Sequence, residues 1–162
     1  MGLAAAFWIM AIIGVLAALS VVFLRNVFRA ALGLVVCFIT VAGLYITLSA
    51  DFLAAVQILV YVGAISVLII LAIMMTRDVH KGSPGNRLKL PAFIVAVVVL
   101  GIMIYTVTKT TWQVAAQAPL SPTTVPLAKK LFSQNGFVLP VEIAAVLMLA
   151  AILGAIIIAR EK

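Results

Sequence analysis

Charge is what this sequence most lacks. Of its 162 residues only 9% are Asp, Glu, Lys or Arg, against roughly a quarter in an ordinary soluble domain, while 67% are apolar. That balance excludes a water-soluble globule. A single cysteine, Cys37, excludes an internal disulfide, and a single histidine, His80, leaves too few soft ligands for a metal, haem or iron–sulfur site. No Walker loop, no GxGxxG opening a helix and no nucleophile–base constellation occurs.

What is present is hydrophobic length. A spanning helix needs about 20 apolar residues, because the hydrocarbon core is roughly 30 Å thick and each residue rises about 1.5 Å. Five segments qualify: Leu3 to Leu24, Ala30 to Ala50, Phe52 to Thr76, Leu90 to Thr108 and Phe137 to Ala159, with Glu142 the only formal charge inside them. The pattern predicts an all-α integral membrane protein, one membrane domain over residues 1–162 with five transmembrane helices. About two-thirds of the chain is then in the bilayer, which leaves no room for a soluble catalytic domain. The first segment has no basic leader and is followed by Arg25 and Arg29, so it reads as a retained helix rather than a signal peptide.

Alternate connections differ in basic residues. One side carries eight (Arg25, Arg29, Arg77, Lys81, Arg87, Lys89, Arg160, Lys162) and the other three (Lys109, Lys129, Lys130). Positively charged loops stay in the cytoplasm, so the N-terminus is expected outside and the C-terminus in the cytoplasm. Ser49 and Asp51 offer capping oxygens to the third helix, whose link to the second is so short that the two should be antiparallel neighbours. Gly82, Ser83, Pro84, Gly85 and Asn86 form a turn-rich link, and Pro91 falls in the first turn of the fourth helix, where proline is tolerated. The outer connection, about Lys109 to Gly136, carries Pro119, Pro122 and Pro126. Within it, Val125 to Phe132 sets Leu127, Leu131 and Phe132 opposite Lys129 and Lys130, the pattern of a short interfacial helix. No long repeat is found, and an odd number of spans argues against a duplicated transporter.

Chemistry must then come from the few polar groups within the spans: Thr40, Tyr45, Thr47, Gln57, Tyr61, Ser66, Tyr105, Thr106 and Glu142. Gln57 and Tyr61 are four residues apart, so they share a helix face near mid-span. An unpartnered amide or phenol in hydrocarbon costs several kcal/mol, so that face should meet protein or water. Two readings fit, hydrogen-bonding glue between helices or one segment of a proton path. Gly63, two residues beyond Tyr61, is either a close-packing point or a weak point that admits a π-bulge. One inserted residue would turn the rest of the helix by roughly 100°, exchanging Ser66 with Ile65, Val67 and Leu68. Glu142 is read in the first turn of the last helix, just after Pro140, either paired with the helix dipole or serving a proton relay or a partner contact. As the sole carboxylate in the spans and near one surface, it cannot carry protons across without partner subunits.

The stretch Phe52 to Met75, FLAAVQILVYVGAISVLIILAIMM, resembles the third helix of subunit J of the proton-pumping NADH-quinone oxidoreductase, respiratory complex I. Leu127 to Phe132, followed by Leu139 to Ala155, LPVEIAAVLMLAAILGA, is similar to the end of the same family. The resemblance covers nearly the whole chain, and Tyr-x-Gly-Ala-Ile at Tyr61 to Ile65 is its most specific part. It implies a core membrane subunit without cofactors in a cell inner (plasma) membrane. FMN, iron–sulfur clusters and quinone would be held by partner subunits. The implied partners are the antiporter-like subunits together with subunits K, H and A, of which K is small with three helices and H holds the quinone site; no nucleic acid is implied. It further implies a π-bulge near Tyr61 whose rotation opens or closes a water path, with Gln57, Tyr61, Gly63, Ser66 and Glu142 as the residues of interest. Two positions depart from common members, Gln57 where some have Glu and Val141 where many have Phe. Rival readings are the equivalent subunit of a ferredoxin- or hydrogenase-linked complex, an independent small channel or transporter, and a structural filler between functional neighbours.

Overall fold

The computed structural model describes residues 2–76, 89–112, 122–133 and 136–160. Its described residues form six helices: α1 (Gly2–Phe23), α2 (Val27–Thr47), α3 (Asp51–Met75), α4 (Lys89–Lys109), α5 (Thr124–Phe132) and α6 (Val138–Ala159). All but α5 are long and apolar enough to cross a membrane, matching the five expected spans to within three residues at each end. The link rich in Gly82 to Asn86, most of the basic residues in it and Pro119 lie outside the described residues.

Small residues bring α1 and α2 together. A Cβ on Gly14 would stand 3.0 Å from the Thr40 hydroxyl, one on Gly43 would stand 3.0 Å from the Met10 sulfur, and one on Gly33 would collide with the Ser20 hydroxyl. Lipid tails are as apolar as leucine, so helices in a bilayer gain from close backbone approach rather than from escaping water. Ala17 and Thr40 are buried in this seam, and Ala31 and Ala42 are buried on the other side of α2, the side that carries Phe38. The Thr40 hydroxyl donates to the Cys37 carbonyl at 2.7 Å and the Ser20 hydroxyl to the Ala17 carbonyl at 2.6 Å, so neither is left unsatisfied.

The turns between these helices are tight and locally determined. Asn26 caps α2, its side-chain oxygen accepting from the Arg29 N–H at 3.2 Å. At the other end Ser49 takes a left-handed conformation (φ 58°) and α2 closes with two crossed bonds, Ser49 N–H to the Ile46 carbonyl and Ala50 N–H to the Tyr45 carbonyl. This reverses the chain and lays α3 back against α2, as expected. The expected capping by Ser49 and Asp51 is wrong, however. Ser49 is spent on the reversal, Asp51 is already the first helical residue, and no side chain of the Ser49–Asp51 link caps α3. A residue far along the chain reaches it instead, since the Thr123 hydroxyl accepts from the Phe52 N–H at 3.4 Å.

The short helix α5 forms where the amphipathic pattern placed it, with Leu127 and Leu131 half-buried and Lys129 and Lys130 exposed. It joins α6 directly, the Phe137 N–H donating to the Lys130 carbonyl at 3.0 Å. Helices α4 and α6 present apolar side chains outward along their whole described length.

Candidate functional site

The middle of α3 is not an α-helix. After Asp51–Val56 the backbone widens into a π-helix over Gln57–Ile65, then returns to α-helix over Ser66–Met75. Nine residues is long for a form that is usually a single-turn defect. The widening is held from its far end, where both the N–H and the hydroxyl of Ser66 donate to the Tyr61 carbonyl, the hydroxyl at 2.7 Å. One residue thus supplies two bonds to an oxygen five positions back, the spacing that defines a π turn. An α-helix would pair that carbonyl with the residue four positions on.

Gly63 lies inside this segment. A Cβ there would stand 3.4 Å from the Ile58 carbonyl, which is ordinary contact, so the widened turn admits alanine while a branched side chain would crowd that oxygen.

Gln57 and Tyr61 both meet one residue of α2. The Gln57 side chain is buried and its amide donates to the Phe38 carbonyl at 3.4 Å. The Tyr61 ring stands edge-on to the Phe38 ring with centroids 5.5 Å apart. The shared face expected from their spacing is therefore real and it meets protein. Tyr61 is still 42% exposed, and its hydroxyl has no hydrogen-bond partner among the described residues. Ser66 is buried where the following stretch packs on α2, so the widened form seats the serine inward and turns Val67 and Leu68 outward. Phe38 was missed in sequence because an apolar residue on an apolar helix carries no signal of its own. Its role is visible only once α2 and α3 are packed.

Glu142 is elsewhere, and one expectation about it needs correction. The last helix begins at Val138, so Pro140 is its third residue and Glu142 its fifth, in the second turn and not the first. Proline is tolerated throughout a first turn, so Pro140 does not mark the first helical residue and gives no reason to put Glu142 in the first turn. The carboxylate is thus past the N–H groups that a first-turn acid would serve, and its side chain is exposed. The structure does not bring it to Gln57, Tyr61, Gly63 or Ser66 within the described contacts between helices.

Comparison with known proteins resolves what such a chain is part of. Residues 17–158 match the model of the family described as NADH-ubiquinone/plastoquinone oxidoreductase chain 6. The chain belongs to that family. Its relatives include NAD(P)H-quinone oxidoreductase chain 6 of Synechocystis, 41% identical over 96% of this chain and 79% of the relative. Another is F(420)H(2) dehydrogenase subunit J of Methanosarcina mazei, 35% identical over 98% of this chain and 91% of the relative. Membership in the chain 6 family, with five helices able to span, makes this a multi-pass membrane protein of a multi-subunit oxidoreductase.

Proposed function

We propose that this chain couples quinone reduction to proton translocation in a complex I-type oxidoreductase, with α3 as a helix that switches between π and α forms. The observation that carries the reading is the π segment Gln57–Ile65 in a chain of this family. Ser66 holds the widened form through Tyr61, Gly63 leaves room for the change, and Gln57 with Tyr61 anchors the start of the segment on Phe38. When the bulge resolves, the helix beyond it turns by roughly 100°. Ser66 then leaves the α2 face and a bulky apolar neighbour, Ile65 or Val67, takes its place, so a chain of water can be admitted in one form and broken in the other.

One cysteine and one histidine cannot hold an iron–sulfur cluster, and the resemblance to subunit J assigns FMN, iron–sulfur centres and quinone to partner subunits. Subunits K, H and A and the antiporter-like subunits are the proposed neighbours. The basic asymmetry orients the chain with its N-terminus outside and its C-terminus in the cytoplasm of a cell inner membrane. The relative named as an F(420)H(2) dehydrogenase subunit supports a second reading of the electron donor, since the donor-binding module would be another chain.

The test is gentle detergent extraction followed by identification of co-purifying chains, donor assays with NADH and with reduced F420, and proton uptake in proteoliposomes. A complex with flavin and iron–sulfur subunits that pumps on quinone reduction supports the proposal. Solute or ion flux through the isolated chain, with no such partners, overturns it.

A further inference from the structure

The carboxylate of Glu142 stands on a helix that this chain leaves uncovered. Helix α6 packs on α5 at its start and shows only exposed or half-exposed side chains along its length. Leu139, Glu142, Ile143, Val146 and Leu147 line one shallow depression on it. Their spacing of three and four residues places them in a single stripe, the shape that receives a neighbouring helix. The other spanning helices carry their cations only at their ends, as Arg29, Lys89 and Lys109. The nearest basic residues in sequence, Lys129 and Lys130, are exposed on α5, and no ion pair joins them to Glu142 among the described residues. A carboxylate one turn inside an apolar helix is therefore without a counter-charge from its own spans, and acids at that depth pair with something.

We propose that this stripe of α6 docks a transmembrane helix of another subunit of the complex, and that this helix brings a lysine or arginine opposite Glu142. Apolar matching along Leu139, Ile143, Val146 and Leu147 supplies the contact, and the ion pair sets depth and partner choice, because a wrong helix would leave two charges unpaired in a low-dielectric contact. The inference rests on the reading of this chain as part of a larger complex.

The experiment uses the assembled complex. A photo-crosslinking residue at Val146 is expected to join this chain to one neighbouring subunit, whereas the same probe at Met148, on the opposite side of α6, should not give that product. Glu142→Lys should cut the amount of this chain recovered in the intact complex by about tenfold, as expected for like charges facing each other in a buried contact. Glu142→Gln should cost less, since an amide still accepts a hydrogen bond. Exchanging the basic residue identified in the cross-linked partner for Glu should restore assembly of Glu142→Lys. A Val146 probe that finds only lipid, with Glu142→Lys assembled at the normal level, would overturn the proposal and leave the carboxylate reaching toward the headgroups. Loss of assembly in Lys130→Ala equal to that in Glu142→Lys would overturn it in favour of a pair within this chain. Absence of flavin and iron–sulfur subunits from the purified material would instead remove the reading on which the proposal rests.

Discussion

Replacing Gly63 by valine probes the middle of the π segment. A Cβ at residue 63 would lie 3.4 Å from the Ile58 carbonyl, and a γ-carbon extends about 1.5 Å further. A methyl turned toward that oxygen would overlap it, so valine loses rotamers or is pushed off a staggered position, at a cost of about 0.5–1.5 kcal/mol. The cost belongs to the widened form, in which residue 63 faces the carbonyl five positions back. In a regular α-turn that carbonyl is displaced and valine carries only its ordinary helix propensity. Only such a difference between forms shifts a population or a rate. Gly63→Ala is the control, because 3.4 Å is ordinary contact and the helix-stabilising effect of alanine acts on both forms alike.

The quantity to measure is proton translocation per electron in proteoliposomes of the assembled complex, beside electron entry from the donor to a soluble acceptor upstream of quinone. Valine should slow coupled pumping by roughly two- to tenfold, the range that follows from that cost, and leave electron entry unchanged. Alanine should stay near the wild-type value. Wild-type pumping in an assembled Gly63→Val complex would refute the switch, and equal damage by alanine and valine would refute the crowding argument behind it.

Other consequences are open to direct measurement. Ser66→Ala deletes the 2.7 Å hydroxyl bond to the Tyr61 carbonyl, so the widened form should lose about 0.5–1.5 kcal/mol and amide exchange across Gln57–Ile65 should change while that in α1 does not. Gly33→Ala places a methyl against the Ser20 hydroxyl and should force it off the Ala17 carbonyl, lowering the thermal stability of the complex. Ser20→Ala in the same chain should restore most of that loss, a non-additivity that a thermal-shift cycle would detect. In a Cys37→Ala background, a cysteine at Ser133 should react with an impermeant reagent added outside and one at Ser83 should not, and the reverse pattern would invert the orientation.

The spans were legible because hydrocarbon demands length, and a run of twenty apolar residues has few other uses. Helix ends were less so. The start of α3 is served by Thr123, 71 residues further along the chain, and nothing near Asp51 signals it. At α6 the start was close but the turn assigned to Glu142 was not, because Pro140 fits any place in a first turn, and the later turn carries Glu142 from a dipole contact to an exposed stripe. At the candidate site the local spacing held more information. Tyr61 and Ser66 stand five apart, so a hydroxyl able to reach its own helix backbone sits at the register of a π turn, with Gly63 between them. The possibility of a bulge could therefore be read from those residues, but not its length of nine residues. Length depends on the N-terminal boundary, where Gln57 is buried against the Phe38 carbonyl of α2 and Tyr61 packs on the ring of the same residue. The segment is thus held at one end by a bond within α3 and at the other by contacts between two helices. A change in the packing of α2 is then able to move the Gln57 boundary with no substitution inside the segment itself.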